Sequence, residues 1–452
     1  MIVREKKFYK TILAIGIPIA IQSFISFMVN LLDTLMLGQL GENSLSGSNL
    51  AGQMYFITVL CIAGVSEGSN VLIAQYYGKG DIKAIHKIYS IAYRAAIVFG
   101  AIATIIAFAL PEQFMSIYSN EPEVIAEGAK YLKIMAIGYI PFAITSCSVT
   151  TLRAVHSTKI AVFVYGISFA VNAFLNYGLI FGNFGMPRLE IQGAAIATVT
   201  ARLVEFVIII YYMARVDDKI RLKLHHLKTV DMIILKNYVK NATPILINEI
   251  MWVMGSTSIS IIFGRMGKSM VSANAISSVM FQLVSIFLFG VASASLVTIG
   301  NVIGEGKIHR AYDYAQTFII ISIVMGIIST TIVYLTKDLV IGFYNITPET
   351  VEIAKEILTA NSFILFFQSL SVIAGMGVLR GGGDAKFVLY SEIIMLWLIA
   401  VPLGVLAAFV WELPVFWVYC CTKIDEILKT IVFVGRALGK KWARDTTITH
   451  HE

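Results

Sequence analysis

Residues 62–80 read IAGVSEGSNVLIAQYYGKG, and residues 288–306 read LFGVASASLVTIGNVIGEG. A shift of 226 residues without a gap carries the first stretch onto the second, and the same shift sets Pro18 on Pro244. Between residues 18 and 80, five of the eight glycines meet a glycine, although glycine makes up only 34 of 452 residues. The chain is therefore an internal duplication, a construction that is common in membrane transporters.

Both halves of the chain are strongly apolar, with 57% hydrophobic residues, 14% charged residues and a mean hydropathy of +0.78. Soluble domains carry about a quarter charged residues. Apolar stretches of about 20 residues recur, each long enough to cross a bilayer as a helix, and they lack the alternation of a strand barrel. We therefore expect an all-α polytopic membrane protein. The twelve predicted spans are 11–37, 50–75, 88–110, 131–152, 159–183, 190–214, 241–264, 271–300, 313–335, 352–379, 387–410 and 414–435.

The net charge of +7 becomes informative once each basic residue is placed relative to these spans. If odd-numbered spans start in the cytoplasm, the termini and the loops after even-numbered spans hold 24 of the 35 lysines and arginines, and the opposite loops hold 7. The positive-inside rule then predicts an inner (cell) membrane protein with both termini cytoplasmic. Scattered flanking charges of this kind do not indicate nucleic-acid binding.

The most basic stretch of the chain, residues 215–240, divides it into two sets of six spans. An even number of crossings in each set makes the repeats parallel, related by an axis along the membrane normal. We predict an N-terminal lobe over 1–214, a cytoplasmic linker over 215–240, a C-terminal lobe over 241–435 and a cytoplasmic tail over 436–452.

Several local motifs resemble one family in their order and spacing. Asn172-Ala-Phe-Leu-Asn176-Tyr-Gly-Leu-Ile-Phe-Gly182 with Gly185-Met-Pro187 is similar to the fifth and sixth spans of the multidrug and toxic compound extrusion (MATE) family. Similar motifs of this family are Leu32-Asp33-Thr34, Ala74-Gln75-Tyr76-Tyr77-Gly78, Gly193-Ala-Ala-Ile-Ala-Thr198, Leu379-Arg380-Gly381 and Lys423-Ile-Asp425-Glu426.

The resemblance covers nearly the whole chain and implies a V-shaped pair of six-helix lobes. It also implies export of organic, often cationic, compounds in exchange for Na⁺ or H⁺. Some members carry an acid in the tenth span, where this chain reads Phe366-Phe367-Gln368, and another branch has aspartate at the position of Asn176. The resemblance therefore leaves the coupling ion open.

Asp33 is the first candidate for ion coupling, because charge inside a membrane is costly and usually functional. Gln22, Ser26, Asn30 and Asp33 form a polar stripe at helical spacing, as do Ser168, Asn172 and Asn176 on the fifth span. A carboxylate facing amides can hold dehydrated Na⁺, which would make Asp33 a metal ligand, or take up a proton. The alternative is that Asp33 only fixes helix packing.

Glu249 is the second acidic candidate, and it would be a metal ligand only if the coupling ion is Na⁺. It begins a polar and aromatic face with Trp252, Ser256 and Ser260 in the second repeat. Aromatic and methionine side chains suit flat lipophilic cations of varied shape. The predicted substrate-binding residues are Gln22, Asn30, Gln53, Tyr139, Met251, Trp252, Gln282 and Gln368.

Other charged residues in the spans have a structural interpretation. Arg202 and Glu205, three residues apart, can form an ion pair on one helix face. Glu67 and Glu392 lack a nearby residue of opposite charge, and their roles stay open. We interpret four charges of the last span as a mutually compensated network or as side chains that reach the inner membrane surface: Lys423, Asp425, Glu426 and Lys429.

The leading hypothesis is a secondary active antiporter that exports organic compounds, acting as a monomer in membrane lipid. It needs no cofactor beyond the coupling ion, Na⁺ or H⁺. One alternative is a flippase for a lipid-linked precursor, which would call for a basic cavity. An alternative of another class is a polytopic membrane enzyme or receptor scaffold. Against the enzyme, the sequence contains no nucleotide-binding motif, histidine–cysteine metal cluster or nucleophile triad.

Overall fold

The computed structural model describes residues 3–227, 230–344 and 346–447, and it is helical throughout these ranges apart from short connections. Within them, eleven helices are long and apolar enough to cross a membrane. They are α1 Lys6–Gly38, α2 Glu42–Lys79, α3 Ile82–Ala109, α4 Pro122–Ala154, α5 Lys159–Phe181, α6 Glu190–Val216, α7 Met232–Met266, α8 Lys268–Gly304, α9 Ile308–Ile341, α10 Pro348–Leu379 and α11 Ala385–Phe409. A short helix, Pro111–Ser116, follows α3.

The twelfth predicted span, residues 414–435, is helical, but its helix is interrupted at one residue. Its two parts are α12a, Val415–Thr422, and α12b, Ile424–Leu438. The break falls at Lys423, whose backbone angles of φ −118° and ψ 12° lie outside the helical region. The charged side chains that made this span the least apolar in sequence therefore begin a new helix, with Asp425 and Glu426 in its first turn.

Corresponding helices of the two repeats begin at the same interval that relates their sequences. The starts of α2 and α8, of α4 and α10, and of α5 and α11 are each 226 residues apart. Local sequence explains these starts. Pro122 and Pro348 occupy first-turn positions where the missing N–H is tolerated. Asp81 caps α3 by accepting a hydrogen bond from the Ala84 N–H at 2.9 Å.

The described residues form two compact units. The N-unit consists of Pro18–Ile73 and Asp81–Leu246, and the C-unit consists of the residues up to Ile17, Ala74–Gly80 and the residues from Ile247 onward. Each unit has its own apolar core, around Met115, Leu132 and Tyr139 in the N-unit and around Phe263 and Ile357 in the C-unit. The predicted lobe and linker boundaries stay a prediction, and residues 228–229 of the linker and 448–452 of the tail lie outside the described residues.

Two repeat-related glycines allow a close helix crossing inside the C-unit. A Cβ atom built on Gly78 would lie 1.9 Å from the carbonyl oxygen of Asn301, and one built on Gly304 would lie 1.8 Å from that of Gln75. The same 226-residue shift relates Gln75 to Asn301, so each helix presents a glycine to its counterpart's carbonyl. Only glycine permits backbones to approach this closely.

The polar tail after α12b packs against this crossing. The Trp442 side chain is fully buried, and its indole N–H donates to the Ala437 carbonyl at 2.8 Å. Gln75 at the end of α2 donates to the Arg444 carbonyl and accepts from the Thr446 backbone N–H at 2.7 Å. These contacts satisfy buried polar groups at the helix ends.

Candidate functional site

The first candidate site lies in the N-unit around Asp33 on α1. Asn176 Nδ2 on α5 donates a hydrogen bond to Asp33 Oδ1 at 2.5 Å. The same nitrogen donates to Asn172 Oδ1 at 3.1 Å, and Asn172 Nδ2 donates to Thr198 Oγ1 on α6 at 3.2 Å. Because Asn172 and Asn176 are one helical turn apart, they share a face of α5. The structure therefore brings together three of the predicted ion-coupling residues and adds Thr198.

This group contains an oxygen that is available to a ligand. Oδ1 of Asn176 is buried and has no hydrogen-bond partner within the part of the chain that the structure describes. An unpaired buried oxygen is unfavourable unless a cation, a proton donor or water meets it. It belongs to the same amide group whose nitrogen donates to Asp33.

Arg202 lies near this group, but its positive charge is paired with other residues. Its Nη1 donates to both carboxylate oxygens of Glu205, at 2.9 and 3.0 Å, so the predicted ion pair is confirmed. Its Nη2 donates to Tyr55 Oη at 2.9 Å, and the guanidinium lies over the Tyr55 and Phe142 rings. The carboxylate of Asp33 consequently has amide partners rather than a cation of its own.

A cavity of about 460 Å³ opens beside Asp33. The predicted residues Asn30, Gln53 and Tyr139 line it together with Asp33, whereas Asn172 and Asn176 are buried behind the carboxylate. Further lining residues that sequence analysis missed as ligand contacts are Thr34, Ser48, Asn49, Tyr55, Tyr131, Thr198 and Arg202. Gln22 is half-buried on α1 and does not belong to this lining.

The second candidate site lies in the C-unit around Glu249 on α7. Its Oε1 accepts a hydrogen bond from Arg380 Nη1 at 2.9 Å, and the Arg380 side chain is 5% exposed. Glu249 is therefore neutralised by a buried guanidinium, a partner that lies 131 residues further along the chain. A bound cation would have to compete with Arg380 for this carboxylate.

Glu249, Trp252 and Gln368 line a cavity of about 120 Å³ in the C-unit. Trp252 and Gln368 also line a second cavity of about 230 Å³. Two other predicted substrate residues are placed differently. Met251 lies outside both linings, and its carbonyl accepts a hydrogen bond from Trp397 Nε1 at 3.2 Å, while Gln282 is exposed on α8.

The charges of the last span pair at the expected helical spacing only in part. Lys429 contacts Asp425 and Glu426, as expected, but it also contacts Glu392 from α11 at 3.1 Å. Lys423 lines the 230 Å³ cavity instead of pairing with them.

Glu67, for which the sequence indicated no partner, forms an ion pair with Arg153 at 3.3 Å. Sequence spacing could not reveal these contacts, because helix packing creates them.

The duplicated set of apolar helices and the polar cavities enclosed within each unit define an integral membrane protein of the transporter class. The sequence model of the MatE family matches residues 18–178 and again residues 244–406, which together make up most of the chain. The chain therefore belongs to the MATE family and is a transporter rather than an enzyme. The two matches begin 226 residues apart and confirm the duplication.

Curated relatives align over almost the full length of this chain. "Probable multidrug resistance protein NorM" of Thermotoga maritima is 23% identical over 442 residues, covering 97% of this chain and 94% of the relative. "Multidrug resistance protein MdtK" of Photorhabdus laumondii is 23% identical, covering 87% of this chain and 86% of the relative.

Solved structures share the fold. A transporter of the MOP superfamily from Pyrococcus furiosus has a TM-score of 0.86 at 17% identity, with 95% of this chain and 94% of that chain covered. A multidrug resistance MATE transporter in an outward-facing conformation has the same TM-score, identity and coverage. At this level of identity the likeness establishes the helical architecture alone.

Proposed function

We propose that this transporter is a secondary active antiporter that exports lipophilic organic compounds, chiefly cations, in exchange for Na⁺ or H⁺. The relatives are described as multidrug resistance proteins, which supports small organic compounds as the substrates. The observation that carries the proposal is the geometry of Asp33. This carboxylate lies on the wall of the 460 Å³ cavity and is held by an amide 2.5 Å away.

Exchange follows from competition for one negative charge. An ionised Asp33 with no cation of its own is costly inside a membrane, so the cavity favours occupation by an ion or by a cationic substrate. Binding of H⁺ or Na⁺ removes the net charge and weakens the attraction for an organic cation. If the transporter opens to the other side of the membrane only when the negative charge of Asp33 is neutralised, it will exchange the coupling ion for the organic cation.

Asn172 and Asn176 are proposed to hold Asp33 in position and to supply oxygen to the ion. For Na⁺, the ligands would be Asp33 and the unpaired Oδ1 of Asn176. For H⁺, the carboxylate alone suffices, and the Asn176 amide would continue to donate to its unprotonated oxygen. Asn30, Gln53 and Tyr139 would contact the organic substrate from the cavity wall.

In the C-unit we propose Glu249 as a second acidic site, with Trp252 and Gln368 as substrate contacts. It would be a metal ligand only in the case of Na⁺ coupling. The ion pair with Arg380 limits this role, because Glu249 becomes available to a cation only when that contact loosens. Gln22, Met251 and Gln282 stay predicted substrate residues, although they lie outside the three cavities described.

We further propose a monomer in the inner (cell) membrane with both termini cytoplasmic. The uneven distribution of lysine and arginine supports this orientation. The predicted division into lobes 1–214 and 241–435, a linker 215–240 and a tail 436–452 belongs to the same proposal.

The test is efflux of a fluorescent lipophilic cation from vesicles that contain the purified protein. A Na⁺ gradient and a pH gradient are imposed separately, and the ion that drives efflux is the coupling ion. Efflux that requires neither gradient would contradict secondary active antiport.

A further inference from the structure

The C-unit contains a buried cluster in which the acidic side chains outnumber the basic ones. The cluster formed by Glu392, Asp425, Glu426 and Lys429 contains three carboxylates and one ammonium group. Lys429 Nζ lies 3.1 Å from Glu392, 2.9 Å from Asp425 and 2.7 Å from Glu426. All four side chains are at most 8% exposed. Fully ionised, the cluster would carry two uncompensated negative charges away from water.

Three other carboxylates within the spans differ from this cluster, because each is matched by an arginine. Glu67 pairs with Arg153, Glu205 with Arg202 and Glu249 with Arg380. One-to-one pairing is what burial of charge requires, since unpaired buried ions bear a large desolvation cost. The cluster departs from this one-to-one pairing, and its excess of carboxylates calls for a further positive charge.

The surroundings supply only part of that charge. Asp425 and Glu426 lie in the first turn of α12b, where the helix dipole contributes about half a positive charge. Lys423 lines the adjacent cavity with Asp425 and Glu426, and its full charge together with the dipole would still leave the group about half a negative charge in excess. The neighbouring Glu249–Arg380 pair is neutral, while Tyr419 and Ser371 add uncharged hydroxyl groups.

A second observation points to a ligand. Oδ1 of Asp425 is buried and has no hydrogen-bond partner within the described ranges, while its Oδ2 contacts Lys429. Asp425 is 4% exposed overall, and it lines the 230 Å³ cavity. A buried, ionised carboxylate oxygen without a hydrogen-bond partner is strongly disfavoured, whereas a buried neutral carboxyl group is tolerated.

We propose that this cluster is a proton-binding site of the C-unit, which holds at least one proton on its carboxylates at neutral pH. A proton fits better than Na⁺, because the ammonium group of Lys429 already occupies the position between the three carboxylates. The proton comes from water and adds to one carboxylate oxygen. The role of this site in transport rests on the proposed antiport, but its proton occupancy does not.

Two irregular helix segments adjoin the cluster and give it freedom to rearrange. A π-helical stretch, Ile393–Ala400, starts directly after Glu392, and another, Ile373–Leu379, starts two residues after Ser371. Ser371 Oγ donates to Glu426 Oε2 at 2.5 Å. Such stretches loosen the regular hydrogen-bond ladder and recur at functional sites.

The test is infrared absorption of protonated carboxyl groups in the purified full-length protein at pH 7. All variants carry Asp33→Asn, so that the candidate residue of the N-unit cannot contribute. We expect the absorption to persist in Asp33→Asn and to disappear when Glu392→Gln and Asp425→Asn are added, because Glu426 and Lys429 then form a balanced pair. Glu205→Gln is the matched control, and it should leave the absorption unchanged.

Where the variant with both added changes does not fold, Asp425→Asn alone removes one charge and should lower the absorption. Absence of protonated carboxyl absorption in Asp33→Asn overturns the assignment, as does absorption that survives the replacement of Glu392 and Asp425. A shift of the cluster's titration by Na⁺ at constant ionic strength would also overturn it in favour of a sodium site. Dye efflux that persists in Asp33→Asn would contradict the proposed coupling and leave the cluster assignment standing.

Discussion

The close crossing of α2 and α8 at Gly78 and Gly304 leads to a quantitative prediction about the stability of the folded protein. Replacing Gly304 by alanine places a methyl carbon 1.8 Å from the carbonyl oxygen of Gln75, and Gly78→Ala places one 1.9 Å from that of Asn301. These obstacles are backbone atoms, so no side chain can rotate away. The helices must separate by more than an ångström, and overpacking of this kind costs roughly 1–3 kcal/mol or more.

Alanine also favours a helix over glycine by up to about 1 kcal/mol, which offsets part of that cost. Gly264→Ala is the matched control, because Gly264 lies two residues before the end of α7 and a Cβ there meets nothing within 4 Å. We therefore expect Gly304→Ala to lose roughly 1–2 kcal/mol after this offset, and Gly264→Ala to gain a few tenths or more.

Thermal unfolding of the purified variants in one detergent measures this difference. Gly304→Ala and Gly78→Ala should both unfold at a lower temperature than the parent protein, and Gly264→Ala should not. Equal stability of Gly304→Ala and Gly264→Ala would refute the close crossing.

Three further predictions concern charge, pH and topology. Glu249→Gln should weaken efflux of cations more than efflux of neutral compounds, whereas a purely structural role would reduce both equally. Burial, together with the nearby charge of Lys219, lowers the pKa of His156 to about 4. The unfolded chain then binds more protons, so stability should fall as pH drops from about 6.5 towards 4, and His156→Asn should flatten that dependence in pH-resolved unfolding. Cysteine placed at position 120 should react with an impermeant reagent from outside, and cysteine at position 225 only after permeabilisation; the reverse pattern would contradict the proposed orientation.

Asparagine suits the test at position 156, because His156 has a φ of 61° and asparagine tolerates the left-handed region. If His156→Asn keeps the acid sensitivity of the parent protein, another group causes it.

The helices were largely predictable because the bilayer fixes their minimum length and the repeat fixes their register. The ends were not predictable. The second span was predicted from residue 50, but α2 begins at Glu42, because its first two turns are polar and leave no trace in a hydropathy profile. The interruption at Lys423 could not be predicted either. Charged residues in the sequence show that a span is less apolar than the others, but they do not show that its helix stops there.

The polar stripe that contains Asp33 on α1 and the one that contains Asn172 and Asn176 on α5 could be predicted, because helical spacing alone puts each set on one face of its helix. Which faces meet is a matter of packing between helices. Arg380 therefore appeared in sequence only as part of a family motif, although it is the partner of Glu249. Glu392 completes the cluster around Lys429 from another helix, and a count of charges along the last span alone could not include it.

Asp33 is the residue that we propose couples ion movement to export. Asp33→Asn removes the charge while keeping an oxygen that can accept from Asn176, so the variant should fold and insert at the parent's level. Efflux of a lipophilic cation is measured in vesicles under separate Na⁺ and pH gradients at matched protein content. Asp338→Asn, a change at an exposed carboxylate near the end of α9, serves as the control. We expect Asp33→Asn to lose gradient-driven efflux and Asp338→Asn to keep it; transport by Asp33→Asn at the parent's rate under both gradients would contradict a coupling role for Asp33.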